Sequence, residues 1–266
     1  MPLFARTLLT LAAVLLLAPA AQAGEPPDAE LFVRSKGKCP TLKGKPKVIG
    51  IGSSTMKGSL GPMLRRLVKR RKLNLTFVNR GKSSSGLARP DFYDWHAKAT
   101  ELGEKEKPDM WLVSMGTNDY QAVRVGKRKW LRPPTEAWRK AYAEKVRTLL
   151  EILSGPDRKR PVVYIGSTAF GRDASRRIGP KLNALIRQEV EKFDGPAIFY
   201  DVFKRTADSK NKAAKAATVP GKKPGSKRRI KIFGPDNIHL TRTAVEKLLA
   251  DPALKLLQDC AGQKPR

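Results

Sequence analysis

Three short polar clusters carry the residue types from which hydrolytic chemistry is built. Gly52-Ser53-Ser54 supplies hydroxyls, Gly116-Thr117-Asn118-Asp119 an amide and a carboxylate, and Gly234-Pro235-Asp236-Asn237-Ile238-His239 a carboxylate three residues ahead of an imidazole. A serine hydroxyl is a poor nucleophile until an imidazole accepts its proton, and the imidazole needs a carboxylate to fix its tautomer. The chain has only two histidines, so the choice of base is narrow. His96 follows Trp95 in a stretch that reads as helix and is taken as a packed or surface histidine. Taken singly, each cluster reads as a turn or a cap, since Ser, Asn and Asp all bond to nearby backbone. Their joint order along the chain points to catalysis. Metal-ligand clusters are absent, and the glycines around Gly50 to Ser59 lack phosphate-loop and dinucleotide-loop spacing, so this chemistry requires neither metal nor cofactor.

The elements between the clusters must bring them together. Lys47 to Gly52 predicts a strand running into the first cluster, and Leu60, Met63, Leu64, Leu67 and Val68 predict an amphipathic helix after it. A second strand is expected over Leu75 to Val78, ended by Asn79-Arg80-Gly81, with a helix after Pro90. Asp109 to Met115 is a nearly continuous apolar run, as in a strand covered on both faces, and the second cluster stands at its carboxyl end. A helix from about Thr135 to Leu153, a strand Pro161 to Ile165, a helix Pro180 to Phe193 and a strand Ala197 to Val202 follow. The last helix is expected from near Thr243, where Thr243 and Glu246 have capping-box spacing. This alternation predicts an α/β fold in three layers: a mostly parallel central sheet with helices on both faces, and ligands outside the carboxyl ends of its strands. Between Lys204 and Lys231 the pattern breaks into a basic insertion with Asp208 as its only acid, read as a flexible arm or as a hairpin around Pro220 to Gly225.

The start of the chain sets a compartment. Arg6, the apolar run Leu8 to Leu17 and the triplet Ala21-Gln22-Ala23 read as a signal peptide over 1–23, cleaved before Gly24, which predicts a periplasmic or secreted protein. The run is shorter than the ~20 residues a bilayer-spanning helix needs. A polar leader over 24–45 and one domain over 46–262 remain. Cys39 and Cys260 are the only cysteines; an oxidising compartment lets them pair, and two unpaired thiols is the plainer alternative. Net charge is +30, beyond what solubility asks for, so the surface should seek anions. Export and the scarcity of aromatics in the basic runs point away from nucleic acid, toward acidic glycans or peripheral contact with an anionic membrane surface. A general bias toward solvated Lys and Arg is the bland reading.

The order of blocks resembles the SGNH (GDSL-like) hydrolase superfamily over nearly the whole mature chain. A Ser block follows the first strand, an Asn-Gly block the second and Gly-x-Asn-Asp the third, and Asp-x-x-His stands close to the carboxyl terminus. Gly81-Lys82-Ser83-Ser84-Ser85-Gly86-Leu87-Ala88-Arg89-Pro90-Asp91-Phe92-Tyr93-Asp94-Trp95 resembles the DUF459 branch. The resemblance implies a flavodoxin-like three-layer fold, with Ser54 as nucleophile, His239 as general base and Asp236 orienting the imidazole. It implies an oxyanion hole from the Asn118 amide, the Ser54 backbone N–H and a donor of the second block, where the count from Asn79 reaches Ser84 and Gly86 is the alternative. Ser53 stands where the motif Gly-Asp-Ser has its aspartate, a residue that braces the turn and that serine replaces more weakly. The implied function is an exported serine esterase that removes an O-acyl group, such as O-acetyl, from a small molecule or an envelope polysaccharide through an acyl-serine intermediate. An O-acetyltransferase using the same triad, and a non-catalytic protein holding anionic envelope polymer by its basic arm, are the rival readings.

Overall fold

The computed structural model describes residues 28–263, so the signal peptide expected over 1–23 lies outside the described residues. The leader is more than polar chain. It forms α1 (Asp28–Leu31) and β1 (Phe32–Arg34), and the Phe32 ring stacks on Tyr200 at 4.9 Å. β2 (Lys47–Gly52) runs into a π-helical turn over Thr55–Leu60, which continues as α2 (Gly61–Arg70). Then come β3 (Thr76–Asn79), α3 (Trp95–Glu106), β4 (Met110–Ser114) and a short hairpin of β5 (Val123–Val125) and β6 (Lys129–Leu131). α4 (Glu136–Ser154), β7 (Val162–Ile165), α5 (Asp173–Lys192), β8 (Ala197–Tyr200) and α6 (Phe203–Thr206) complete the alternation. A second hairpin, β9 (Ala216–Pro220) and β10 (Lys227–Lys231), precedes α7 (Arg242–Ala244), a π-helical stretch over Val245–Ala250, and α8 (Asp251–Cys260).

The central sheet has the order β1-β8-β7-β4-β2-β3, parallel throughout except for β1, which pairs antiparallel with β8. Taken alone, the five parallel strands run 2-1-3-4-5, the flavodoxin-like order, whose ligand crevice lies at the carboxyl ends of the first and third strands. Strand side chains alternate between faces. Ile49, Ile51, Trp111, Val113, Tyr164 and Phe199 pack under α3, α4 and α5. Val48, Met110, Leu112, Val163, Ile198 and Tyr200 pack under α2 and α8. Both faces are buried, which is why these strands read as unbroken apolar runs.

Three details depart from the sequence reading. α5 begins at Asp173, not Pro180, so the proline sits inside the helix. Its missing N–H costs ~3 kcal/mol, offset by burial of Ile178, Leu182, Leu185 and Ile186 on one stripe at about 1.5–3 kcal/mol each. The last helix is capped by Thr241, whose hydroxyl accepts the Ala244 N–H at 3.2 Å; Thr243 lies inside it. The β5–β6 hairpin was not foreseen, its strands being three residues each. Of the two readings of the basic segment, the hairpin around Pro220 to Gly225 holds and the flexible arm does not: it pairs as β9–β10, with Val219 and Ile230 buried against Phe170, Ile232, Phe233 and Leu248. Cys39 and Cys260 form a disulfide with a Cα–Cα distance of 4.9 Å, fastening the leader to α8. Among the described residues no helix is long and apolar enough to cross a membrane.

Candidate active site

β2 ends at Gly52, with φ +149°, where any side chain would run into the Ser114 carbonyl of β4. Glycine alone permits this close approach. The Ser53 N–H then donates to Ser114 O at 3.1 Å, and Ser54 becomes the N-cap of the π-helical turn. N–H groups at a helix start have no intrahelical acceptor, so the Ser54 amide has the character an oxyanion donor needs. The π winding is braced from the second block. Asn79 Nδ2 donates to the carbonyls of Met56 and Lys57 at 3.1 and 3.2 Å, and Asn79 Oδ1 accepts the Gly81 N–H at 3.0 Å. A Cβ on Gly61 would overlap the Asn79 amide, and one on Gly81 would overlap the Lys57 nitrogen. Asn79-Arg80-Gly81 is therefore a brace for the serine turn as well as a strand end.

The second block crosses the end of β2 through bonds of 2.8 Å from Arg80 N–H to Gly50 O and from Lys82 N–H to Gly52 O. Ser84 is exposed, in a left-handed conformation with φ +61°. Ser85 is buried: its hydroxyl donates to Lys82 O at 2.6 Å and accepts from Trp95 Nε1 at 3.0 Å. Asn118 Nδ2 donates to Ser85 O at 3.0 Å, which sets the amide beside the second block and leaves its other hydrogen for a further acceptor. Asp119, 0% exposed, ties the blocks together: Oδ1 accepts the Ala88 N–H and Oδ2 the Tyr142 hydroxyl, both at 2.8 Å. Burial raises the Asp119 carboxyl above the ordinary carboxylate range. Gly86 has its own reason to be glycine, since a Cβ there would overlap Asp119 Oδ1.

Asp236 and His239 are joined. Asp236 Oδ1 accepts the N–H groups of Ile238 and His239, both at 3.0 Å, and Oδ2 meets His239 Nδ1 at 2.6 Å. The imidazole bond first, then the two amides, hold the Asp236 carboxyl down to about 2. The loop is fixed by Gly234 N–H to His239 O at 2.8 Å and Gly171 N–H to Asn237 O at 2.7 Å. Gly171 belongs to the loop after β7, where the Asn183 side chain clasps Ser167 through N–H and carbonyl at 2.9 and 3.0 Å. Tyr120, next after Asp119, bonds to Ser167 Oγ at 2.5 Å and stacks on Phe170 at 5.3 Å. This chain of contacts links the third block to the loop carrying His239. Leu240 lines one cleft with Gly58, Ser59 and Met63, which brings that loop against the serine's turn.

The first two clusters thus stand at the carboxyl ends of β2 and β4, and the loop carrying His239 packs beside the serine's turn. One link stays open: among the described residues no hydrogen bond joins His239 Nε2 to Ser54 Oγ, and the His239 side chain is 65% exposed. His96 is elsewhere, its Nε2 donating to Lys145 O at 2.9 Å in a structural bond between α3 and α4. Among the described residues no group of acidic, His and Cys side chains could hold a metal ion. Tyr120 and Asn183 were not singled out from sequence, and Asn79 only as the head of the second block; of the first two, Tyr120, adjacent to the third block, alone carried a positional signal.

The sheet order defines a flavodoxin-like three-layer α/β fold. Solved structures with this fold include an acetyl xylan esterase from Geobacillus stearothermophilus (17% identity, 85% of this chain and 99% of that one, TM-score 0.53). A psychrotrophic esterase from Pseudoalteromonas sp. aligns at 12% identity over 82% of this chain and 100% of that one, TM-score 0.53. A carbohydrate acetylesterase from Sinorhizobium meliloti aligns at 14% identity over 80% and 99%, TM-score 0.50. No curated protein sequence matches the chain. The chain belongs to the family DUF459, described as a protein of unknown function, whose sequence profile matches residues 47–255.

Proposed function

We propose that this protein is an exported serine esterase that removes an acyl group, such as O-acetyl, from an anionic envelope polysaccharide. The observation that carries the reading is the Asp236–His239 pair. A carboxylate fixed by two backbone amides grips Nδ1 at 2.6 Å and leaves Nε2 without a partner among the described residues. That is the tautomer a general base needs. In the reaction Ser54 Oγ attacks the acyl carbon while His239 Nε2 takes the hydroxyl proton. The Asn118 amide, the Ser54 N–H and a second-block N–H, from Ser84 or Gly86, receive the oxyanion, each such donor being worth ~3–4 kcal/mol. Collapse expels the sugar oxygen with the proton from His239, and water, activated by the same imidazole, releases the acid. The open Ser54–His239 link is compatible with this sequence, because catalytic hydrogen bonds often tighten only on substrate.

The Cys39–Cys260 disulfide supports an oxidising compartment. The basic β9–β10 hairpin runs directly into the His239 loop, and Lys227, Arg229 and Lys231 alternate with inward Ile230, which supports an acidic substrate. The same charge favours a second reading, a non-catalytic holder of anionic polymer. Acetate release from O-acetylated polygalacturonate distinguishes the two. The wild type is expected to release acetate and Ser54→Ala to release none; equal release from both, or from neither, removes the esterase reading. Adding a free sugar acceptor separates transfer from hydrolysis.

A further inference from the structure

The hairpin β5–β6 grows out of the third block, and nothing in the chemistry just described uses it. Its stretch between Asp119 and Glu136 holds five cations, Arg124, Lys127, Arg128, Lys129 and Arg132, and no acid. It also carries two of the three large hydrophobic side chains classed as exposed among the described residues: Trp130, 45% exposed, and Val125; the third is Phe92, 52% exposed. The hairpin is clamped to the second block by Arg124 N–H to Ala88 O at 3.0 Å, one residue from Arg89. Arg124 and Trp130 are cross-strand partners and so share a face.

Their side chains form one built unit. Asp91 takes Arg89 through two bonds of 2.9 and 2.8 Å and Arg124 at 3.1 Å, so one carboxylate serves two guanidinium groups and the cluster keeps a net positive charge. Both guanidinium groups lie over the Trp130 ring, at 4.9 and 5.7 Å from its centre. Both hold the same carboxylate, and the indole beside them remains exposed to solvent. A large aromatic held rigid by cations and presented to water is unfavourable as surface and suited to contact.

We propose that Trp130, with Arg89 and Arg124, is a docking platform for an acidic glycan chain, the exposed indole covering a sugar ring and the guanidinium groups pairing with its carboxylates. The planar guanidinium fork suits carboxylates. The ligand class rests on the esterase reading, and the platform's rooting in both oxyanion blocks would let a bound chain present its ester to Ser54. Single-stranded nucleic acid also uses cations and stacking, but along a groove with rings in succession, and the disulfide favours an extracytoplasmic setting.

The test uses a feature of the tryptophans. The chain has four, and Trp95, Trp111 and Trp138 are buried, so acrylamide quenching reports on Trp130. At physiological ionic strength polygalacturonate is expected to protect the quenchable tryptophan, while dextran and a single-stranded oligonucleotide of matched charge are not. The protein's charge would draw any polyanion, so the charge-neutral Trp130→Ala decides the matter: it should weaken polygalacturonate binding about tenfold by calorimetry. Unprotected Trp130, equal protection by the oligonucleotide or dextran, or unchanged affinity in Trp130→Ala each overturns the platform. Fluorophosphonate labelling of the same wild-type sample reads the esterase separately: labelling without protection sinks the platform alone, and protection without labelling sinks the esterase alone.

Discussion

Replacing Asp119 should uncouple the two blocks that frame the proposed oxyanion site. Asp119→Ala leaves the Ala88 N–H and the Tyr142 hydroxyl, both bonded at 2.8 Å to a fully buried carboxylate, with no acceptor. Stranding a buried donor costs about 1–3 kcal/mol, so the pair amounts to about 2–6 kcal/mol before any cavity contribution. That is a large share of the ~5–15 kcal/mol that holds an ordinary domain folded. Asp119→Asn keeps an oxygen for the Ala88 N–H and can donate to the Tyr142 hydroxyl, so it should cost less than about 1.5 kcal/mol. The two variants also differ from the wild type in pH response. Burial raises the native Asp119 carboxyl, so the native state holds its proton to higher pH than the unfolded chain does, and this group's contribution falls as pH rises from 3.8 toward the raised value. Asp119→Asn lacks that slope, and its deficit against the wild type should shrink toward neutrality. Urea denaturation followed by circular dichroism near pH 4 and near pH 7 measures both effects. If Asp119→Ala costs under about 1 kcal/mol, or Asp119→Asn costs as much as Asp119→Ala, the buried clasp is not what holds the blocks together.

Further outcomes are expected at separate points of the structure. Asp236→Asn retains an oxygen for the Ile238 and His239 amides, so the urea midpoint should move little while kcat on acetyl esters falls ~10⁴-fold through the wrong imidazole tautomer. Because the Asp236 carboxyl is lowered from 3.8 to about 2, the stability it contributes is present above pH 3.8 and lost as pH falls through about 2, so an acid limb in activity above pH 4 belongs to another group. Gly52→Ala meets the Ser114 carbonyl in a left-handed conformation and should lose at least ~2 kcal/mol in thermal or urea unfolding. Breaking the Cys39–Cys260 link, which closes a separation of 221 residues, should lower stability by about 3–5 kcal/mol in the double Ser variant.

Strands such as Val162–Ile165, buried on both faces, announced themselves as apolar runs, and their alternation with amphipathic helices predicted the three layers. β1 and the β5–β6 hairpin escaped because three residues are too few for a period of two to register. Pro180 misled the start of α5, since a proline reads as a first-turn residue and only tertiary burial shows that this helix tolerates it inside. At the candidate site, the resemblance in block order, more than any one local motif, singled out Ser54, Asn118, Asp236 and His239. What orients them was hidden, because Asn79 reaches Met56 across 23 residues and Tyr120 reaches Ser167 across 47. The exposed Trp130 within Lys-Arg-Lys-Trp is an exception to the scarcity of aromatics in the basic runs.

Labelling with a fluorophosphonate, followed by peptide mass mapping, tests the proposed nucleophile most directly. The wild type should gain one phosphonyl adduct on the peptide containing Ser54, with labelling abolished in Ser54→Ala and strongly slowed in His239→Ala. An adduct on another residue, an unlabelled wild type, or labelling of equal rate in His239→Ala would contradict a hydroxyl activated by the Asp236–His239 pair.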